Sequence, residues 1–130
     1  MPPEILIIDD NQDATELLRE LLEMQDYSVR TALNGADALS RMREQPAQIL
    51  LVDQNLPDMS GSALVPRLRA IAAEQGHPRC IAIAITGMAS GVQPGLQGFD
   101  HVLGKPLDFD AFDTLLQKTV AQLQNTPPSP

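Results

Sequence analysis

The chain has 130 residues and a mass of 14.1 kDa, which fits one domain with a substantial buried core. Its formal net charge of −8 argues against direct nucleic-acid binding, because phosphate contacts need clustered Lys and Arg. No apolar run approaches the ~20 residues of a membrane span, and the N-terminal residues lack a signal-peptide pattern. Its one cysteine, Cys80, excludes an internal disulfide and is expected to be a buried structural thiol. We therefore expect a cytoplasmic protein that binds neither nucleic acid nor membrane.

The first part of the chain alternates between strand and helix patterns. Residues 5–8 form a continuous apolar run, which predicts a fully buried strand, and Asn11-Gln12-Asp13 offers an N-cap for the amphipathic helix that follows. Residues 27–32 alternate as a second strand. Asn34-Gly35 predicts a turn before a second helix over residues 36–44.

The middle of the chain repeats this order. Residues 48–52 predict a third strand, and residues 56–61 a structured turn. A helix is expected from about residue 62 to 74, where Gly76 ends it. Pro66 is compatible with that helix only near its first turn.

The last part of the chain departs from the alternation at one place. Residues 80–85 and 101–104 predict the fourth and fifth strands, and a final helix begins after Leu107-Asp108. Between those strands, residues 87–98 contain four glycines and a proline, so the pattern does not predict a regular fourth helix there. The final residues, 125–130, contain three prolines and are typical of a tail or linker.

Continuous apolar strands separated by helices indicate a parallel sheet covered on both faces. Right-handed crossovers between such strands restrict the fold to a doubly wound, five-stranded α/β sheet. The sequence thus predicts this architecture with a degraded fourth helix.

Acidic residues follow two of the predicted buried strands. Asp9 and Asp10 come directly after residues 5–8, and Asp53 closes the apolar run of residues 49–52. The carboxyl ends of parallel strands meet at one edge of the sheet, where open α/β sheets bind ligands. Three carboxylates converging there repel one another unless a hard cation lies among them, and oxygen ligands of this kind suit Mg²⁺. A Mg²⁺ site is therefore predicted at this edge.

Other residues at the same edge favour phosphoryl chemistry. Thr86 follows the fourth strand and Lys105 the fifth, so a hydroxyl and an ammonium could hold two phosphoryl oxygens. With the ion present, Asp53 can act as a nucleophile, as aspartyl-phosphate chemistry requires. The peptide carbonyl of Asn55 is within reach of the same ion. A simpler interpretation, that the acids only cap the following helices, does not account for the hydroxyl and the lysine.

In these motifs the chain resembles the receiver domains of two-component response regulators. The motifs are Ile7-Ile8-Asp9-Asp10, Val52-Asp53-Gln54-Asn55-Leu56-Pro57-Asp58-Met59-Ser60-Gly61, Ile85-Thr86-Gly87 and Lys105-Pro106. The resemblance covers nearly the whole chain. It implies a flavodoxin-like (βα)5 fold, with residues 1–124 as the receiver domain and 125–130 as a tail or linker. Residues 98–106 are most similar to receivers attached to hybrid sensor kinases.

The resemblance also implies a role for each acid. Asp53 would be phosphorylated by a histidine kinase or a histidine phosphotransfer protein. Asp10 would ligate Mg²⁺ directly, Asp9 partly through water, and Asn55 through its carbonyl. The domain would supply groups for its own phosphorylation and dephosphorylation without being an enzyme in the ordinary sense. It would act as a monomer or weak dimer on a downstream partner that the resemblance leaves open.

Two features depart from the family pattern. Val102 stands where receivers usually carry Tyr, Phe or His, and its stiff, short side chain cannot make the same rotamer switch. Thr86 and Lys105, which in the family hold the phosphoryl oxygens, are 19 positions apart, fewer than usual. Because the missing positions fall within residues 87–98, we expect a loop or at most two helical turns there. Partner binding should then rely more on the first or the last helix.

Two alternative functions follow from the same residues. A phosphorylation-independent interaction module with a receiver fold would fit Val102 and the degraded fourth helix, but not the complete acidic set. A Mg²⁺-dependent phosphohydrolase would need a second acid shortly after Asp53, where Asn55 stands.

Overall fold

The computed structural model describes residues 4–76, 80–86, 99–104 and 109–125. The elements in these ranges are, in chain order, β1 (Glu4–Ile8), α1 (Gln12–Glu23), β2 (Ser28–Ala32), α2 (Gly35–Glu44), β3 (Ile49–Asp53), α3 (Gly61–Glu74), β4 (Ile81–Thr86), β5 (His101–Gly104) and α4 (Phe109–Asn125). The prediction for residues 87–98 lies outside the described residues, as do the predicted cap of the last helix and residues 126–130.

The five strands form one parallel sheet in the order β2-β1-β3-β4-β5. Ile8 at the end of β1 pairs with Val52 of β3, and Asp53 at the end of β3 pairs with Ile85 of β4. The carboxyl ends of β1 and β3 therefore lie side by side at the centre of the sheet. This confirms the predicted doubly wound, flavodoxin-like architecture.

Two hydrophobic cores lie on opposite faces of the sheet, because successive strand side chains point to opposite sides. The core beneath α2 and α3 includes Leu6, Met42, Leu50, Leu64 and Leu68. The core beneath α1 and α4 includes Ile5, Leu22, Leu51, Phe112 and Leu116. The strands of the sheet centre are thus buried on both faces, and the sheet edge at their carboxyl ends has a rigid base.

Three helices begin with a polar side chain that accepts a hydrogen bond from the backbone three residues on. Asn11 accepts from Ala14 N at 3.1 Å, Asn34 from Asp37 N at 2.7 Å, and Ser60 from Ala63 N at 3.2 Å. Of the predicted cap segment Asn11-Gln12-Asp13, Asn11 is the residue that caps α1, and the other two lie within the helix. The chain bends at Asn34 as predicted, but Gly35 is already the first residue of α2, so the helix begins one residue earlier than expected.

Pro66 lies further into its helix than expected. It is the sixth residue of α3, which begins at Gly61 rather than at residue 62, so it falls in the second turn. Its ring removes one backbone donor, but the neighbouring Leu64, Val65 and Leu68 are buried and hold this part of the helix against the sheet. Gly76 ends α3 as predicted, with a left-handed φ of 84°.

Among the described residues, the helices are each too short or too polar to cross a membrane.

Candidate functional site

The ends of β1 and β3 bring three carboxyl groups together. One oxygen atom from each of Asp9, Asp10 and Asp53 lies within 4.8 Å of the other two. Asp9 and Asp53 are only 8% and 6% exposed, whereas Asp10 faces solvent. The site is therefore a cluster of two buried carboxyl groups and one that faces solvent.

Backbone hydrogen bonds orient the two buried carboxyl groups. Asp9 Oδ1 accepts from Asn11 N at 3.0 Å, and Asp53 Oδ1 accepts from Asn55 N at 3.1 Å. In each case the donor is two residues further along the chain, a local turn that Asp readily forms. Each of these turns orients its Asp side chain through a hydrogen bond from the loop that follows the residue.

The carboxylate oxygens of these three acids are suitable ligands for a hard divalent cation. Carboxylates at such short separations repel one another, and a cation among them relieves that repulsion. Mg²⁺ binds through one or two carboxylates and keeps further positions for water and phosphate oxygens. The cluster of Asp9, Asp10 and Asp53 could hold such an ion, and the exposed position of Asp10 leaves one side open to solvent.

The remaining predicted site residues lie on neighbouring segments. Thr86 is the last residue of β4 and pairs with Gly104 of β5, next to the strand that ends in Asp53. Lys105 follows Gly104 directly and is outside the described residues, as is the side chain of Thr86. Asn55 is exposed in the loop after Asp53, where it forms a short antiparallel bridge with Ser60.

Val102, the predicted departure from the family pattern, lies on the edge strand β5 opposite Ala84. Its side chain is 48% exposed. Neighbouring Leu103 instead packs against the core beneath α1 and α4. The position usually taken by an aromatic residue therefore carries a small apolar side chain at the surface.

The structure also shows contacts that the sequence did not predict. The carboxylate of Asp58, in the loop after Asp53, accepts hydrogen bonds from Gly35 N at 2.8 Å and Ala36 N at 2.9 Å. These two hydrogen bonds hold the pKa of Asp58 below its usual value. Gln54 uses its side chain to bind Ser62 N at 3.0 Å. For Asp58 no local pattern could have indicated this, because its partners are 22 and 23 residues away.

The doubly wound sheet, with acids at the ends of β1 and β3, agrees with the receiver-domain motifs of the sequence. A family model of the response regulator receiver domain matches residues 5–117. The chain belongs to this family, and the resemblance seen in its motifs is confirmed.

Among its relatives, the transcriptional regulatory protein ZraR of Salmonella typhimurium is 31% identical over 123 residues, which cover 95% of this chain. The virulence sensor protein BvgS of Bordetella pertussis is 34% identical, over 97% of this chain. The chain spans only 27% of ZraR and 11% of BvgS.

Solved structures show the same fold. The CheY-like receiver domain from Methylobacillus flagellatus has a TM-score of 0.77 at 32% identity, and the match covers 92% of this chain and 99% of that one. The receiver domain of Saccharomyces cerevisiae Ssk1, solved with the histidine phosphotransfer protein Ypd1, has a TM-score of 0.79 at 23% identity. That match covers 95% of this chain and 93% of the other.

Proposed function

We propose that this receiver domain accepts a phosphoryl group on Asp53 with the help of Mg²⁺ and acts as a switch or relay in two-component signalling. The observation that carries the proposal is the grouping of the Asp9, Asp10 and Asp53 carboxyl oxygens within 4.8 Å. Asp53 is the acid that closes the central strand β3, whereas the other two arrive as a pair from β1. This arrangement suits a nucleophile, Asp53, beside a metal-binding pair, Asp9 and Asp10.

In this proposal the acids that follow β1 would be the main metal ligands. Asp10 would bind Mg²⁺ directly and Asp9 partly through water, with Asp53 and the carbonyl of Asn55 as further oxygen ligands. Mg²⁺ supplies positive charge that offsets the repulsion between the carboxylates and an incoming phosphoryl group. Burial of Asp9 and Asp53 strengthens these electrostatic interactions, because little water screens them.

Transfer would join the phosphorus atom to an Asp53 carboxylate oxygen. The phosphorus–nitrogen bond of a phosphohistidine donor breaks, and its electron pair returns to the imidazole. In this scheme Thr86 and Lys105 each hold a phosphoryl oxygen; Thr86 ends β4, the neighbour of β3, and Lys105 follows β5, the next strand of the sheet, in the sequence. We assign residues 1–124 to the receiver domain and 125–130 to a linker or tail.

The donor in this proposal is a histidine kinase or a histidine phosphotransfer protein. The fold shared with Ssk1, a receiver solved together with the phosphotransfer protein Ypd1, supports a donor of the second kind. The domain itself would turn over no separate substrate, and its output would be the altered binding of a downstream partner.

The test is modification of Asp53 by a small donor. Wild type incubated with Mg²⁺ and acetyl phosphate should become labelled at one site, whereas Asp53→Asn should remain unlabelled by mass spectrometry. Asp13→Asn is a matched control, because Asp13 is an exposed acid in the first turn of α1, outside the cluster. Equal labelling of wild type and Asp53→Asn would refute the assignment. Absence of labelling in wild type would favour the interaction module.

A further inference from the structure

The loop between Asp53 and α3 is closed at its base. Gly61 N donates to Gln54 O at 2.9 Å, and Asn55 forms its antiparallel bridge with Ser60. The loop between these contacts, residues 54–60, is called the strap below. Its base fixes where the strap begins and ends, but it does not fix the direction in which the tip points.

The tip of the strap is attached to a different element, the start of α2. Each oxygen of the Asp58 carboxylate accepts one backbone hydrogen bond, from Gly35 N at 2.8 Å and from Ala36 N at 2.9 Å. The Met59 side chain fills the space at Gly35 so closely that an added Cβ would lie 2.8 Å from its sulfur atom. The attachment therefore combines two charge-assisted hydrogen bonds to one carboxylate with direct packing of Met59.

The order of the strands places the strap beside the acidic cluster. The strap follows β3 and α2 follows β2, and β1 lies between these two strands. A link from the strap to α2 therefore runs past the carboxyl end of β1, where Asp9 and Asp10 follow. Asn55 belongs to the same strap and donates its N–H to Asp53.

We propose that Asp58 is a positioning residue for the metal site: the base of the strap holds Asn55 to Asp53 and Ser60, and the tie from Asp58 to α2 sets the position of the strap relative to the β1 acids. The inference rests on the proposed function, since it concerns the same Mg²⁺ ion. Asp58 does not itself touch the cluster in this scheme. It acts through the strap, so its loss should weaken metal binding while leaving the carboxylate ligands in place.

A purely structural role for Asp58, as a second cap of α2, makes a different prediction. Asn34 already caps the same helix end, with its Oδ1 accepting from Asp37 N at 2.7 Å. Removing either side chain should destabilise the start of α2. Only removal of Asp58 should release the strap, so Asn34→Ala is the matched control.

The experiment compares Mg²⁺ affinity, measured by isothermal titration calorimetry, in wild type, Asp58→Ala and Asn34→Ala. Loss of a side chain that supports a metal ligand typically costs 10–100-fold in affinity, so we expect Asp58→Ala to bind about tenfold more weakly. Asn34→Ala should bind as wild type does, although both variants should unfold at lower denaturant concentration. At saturating Mg²⁺, labelling of Asp53 by acetyl phosphate should recover in Asp58→Ala, which a damaged phosphoacceptor would not show.

A conservative variant keeps the test decisive if Asp58→Ala does not fold. Asp58→Asn has the same shape and retains one acceptor oxygen, so its Mg²⁺ affinity should fall between those of wild type and Asp58→Ala. Affinity in Asp58→Asn and Asp58→Ala equal to that of Asn34→Ala would overturn the inference while leaving the proposed function intact. Wild type that binds no Mg²⁺ would overturn both.

Discussion

Two glycines at helix starts lie against neighbouring atoms with no room for a side chain. Gly61 is the first residue of α3, and an added Cβ there would lie 2.8 Å from the backbone oxygen of Asp53. Gly35 is the first residue of α2, and its added Cβ would meet the flexible side chain of Met59. Both glycines are the first residue of a helix, but Gly61 lies against a backbone atom and Gly35 against a side chain.

Gly61→Ala is expected to destabilise the protein by about 1–3 kcal/mol, because a fixed backbone atom cannot move away as easily as a side chain. Gly35→Ala should cost less, since Met59 can adopt another rotamer and Ala favours the helix by about 1 kcal/mol over Gly. Urea unfolding of both variants measures the difference. A loss for Gly35→Ala as large as that for Gly61→Ala would contradict this account.

Cys80 shows how burial can dominate the chemistry of a residue. The thiol is buried, and desolvation raises its pKa to about 11. Its sulfur lies 3.6 Å from Ala47 O, to which it can donate a weak hydrogen bond. The side chain therefore stays protonated near neutral pH, and the predicted burial of the thiol is confirmed.

At the scale of elements, α1 carries an apolar strip on its outer surface. Leu17 is 60% exposed and Met24 is 81% exposed, and their seven-residue spacing puts them on one side of the helix. The exposed acids Glu16 and Glu20 lie nearby on the same helix. Behind the strip, a groove of about 370 Å³ extends from Leu17 to Asp9. Under the proposed function, we expect this surface to contact an apolar helix of the phosphodonor that is flanked by basic side chains.

Leu17→Ser is expected to slow phosphotransfer from a phosphohistidine protein by about fivefold or more, the effect of losing roughly 1 kcal/mol of contact energy. Labelling by acetyl phosphate should be unchanged, because a small donor needs no docking surface. Met24→Ser should slow the same transfer less, because Met24 belongs to the same strip but lies about 10 Å further along the helix from the site. Equal slowing with both donors would show that Leu17 acts on the site itself, contrary to this prediction.

At the scale of the whole molecule, the cluster of Asp9, Asp10 and Asp53 couples metal binding to the stability of the fold. Two cores fix the sheet from both faces, so the three carboxyl groups at its edge cannot easily separate. A ligand that binds only the folded state stabilises it in proportion to the logarithm of its concentration over Kd. The stability of the domain should therefore depend on Mg²⁺.

Mg²⁺ at one hundred times its Kd is expected to raise the free energy of unfolding of wild type by about 2.7 kcal/mol. Asp10→Asn should lose most of this gain and Asp9→Asn less, while both should be more stable than wild type without metal because repulsion is relieved. Thermal unfolding with and without Mg²⁺ measures both effects, with Asp13→Asn as the control. An Asp10→Asn protein with wild-type Mg²⁺ affinity would exclude Asp10 as the main ligand.

The strands, most of the helices and the acids at the strand ends could be predicted from the sequence, because each is a local pattern. Apolar runs define the buried strands, Asn11 and Gly76 mark helix ends, and the parallel order then brings Asp9 and Asp53 to one edge. Helix starts were less well predicted. The spacing of apolar residues does not show that Gly35 is already helical.

Only the tertiary structure determined the contacts that join distant segments. Asp58 finds its two donors at the start of α2, and Gly61 lies against the backbone of Asp53. Arg69 of α3 likewise pairs with Asp100, 31 residues away, at 2.6 Å. Such contacts depend on the relative positions of whole elements, which are set when both faces of the sheet are packed. The sequence by itself places the acids of the site at the strand ends. The hydrogen bonds from Gly35 and Ala36 to Asp58, which attach the strap to α2, form only when β2, β1 and β3 lie side by side in the folded sheet.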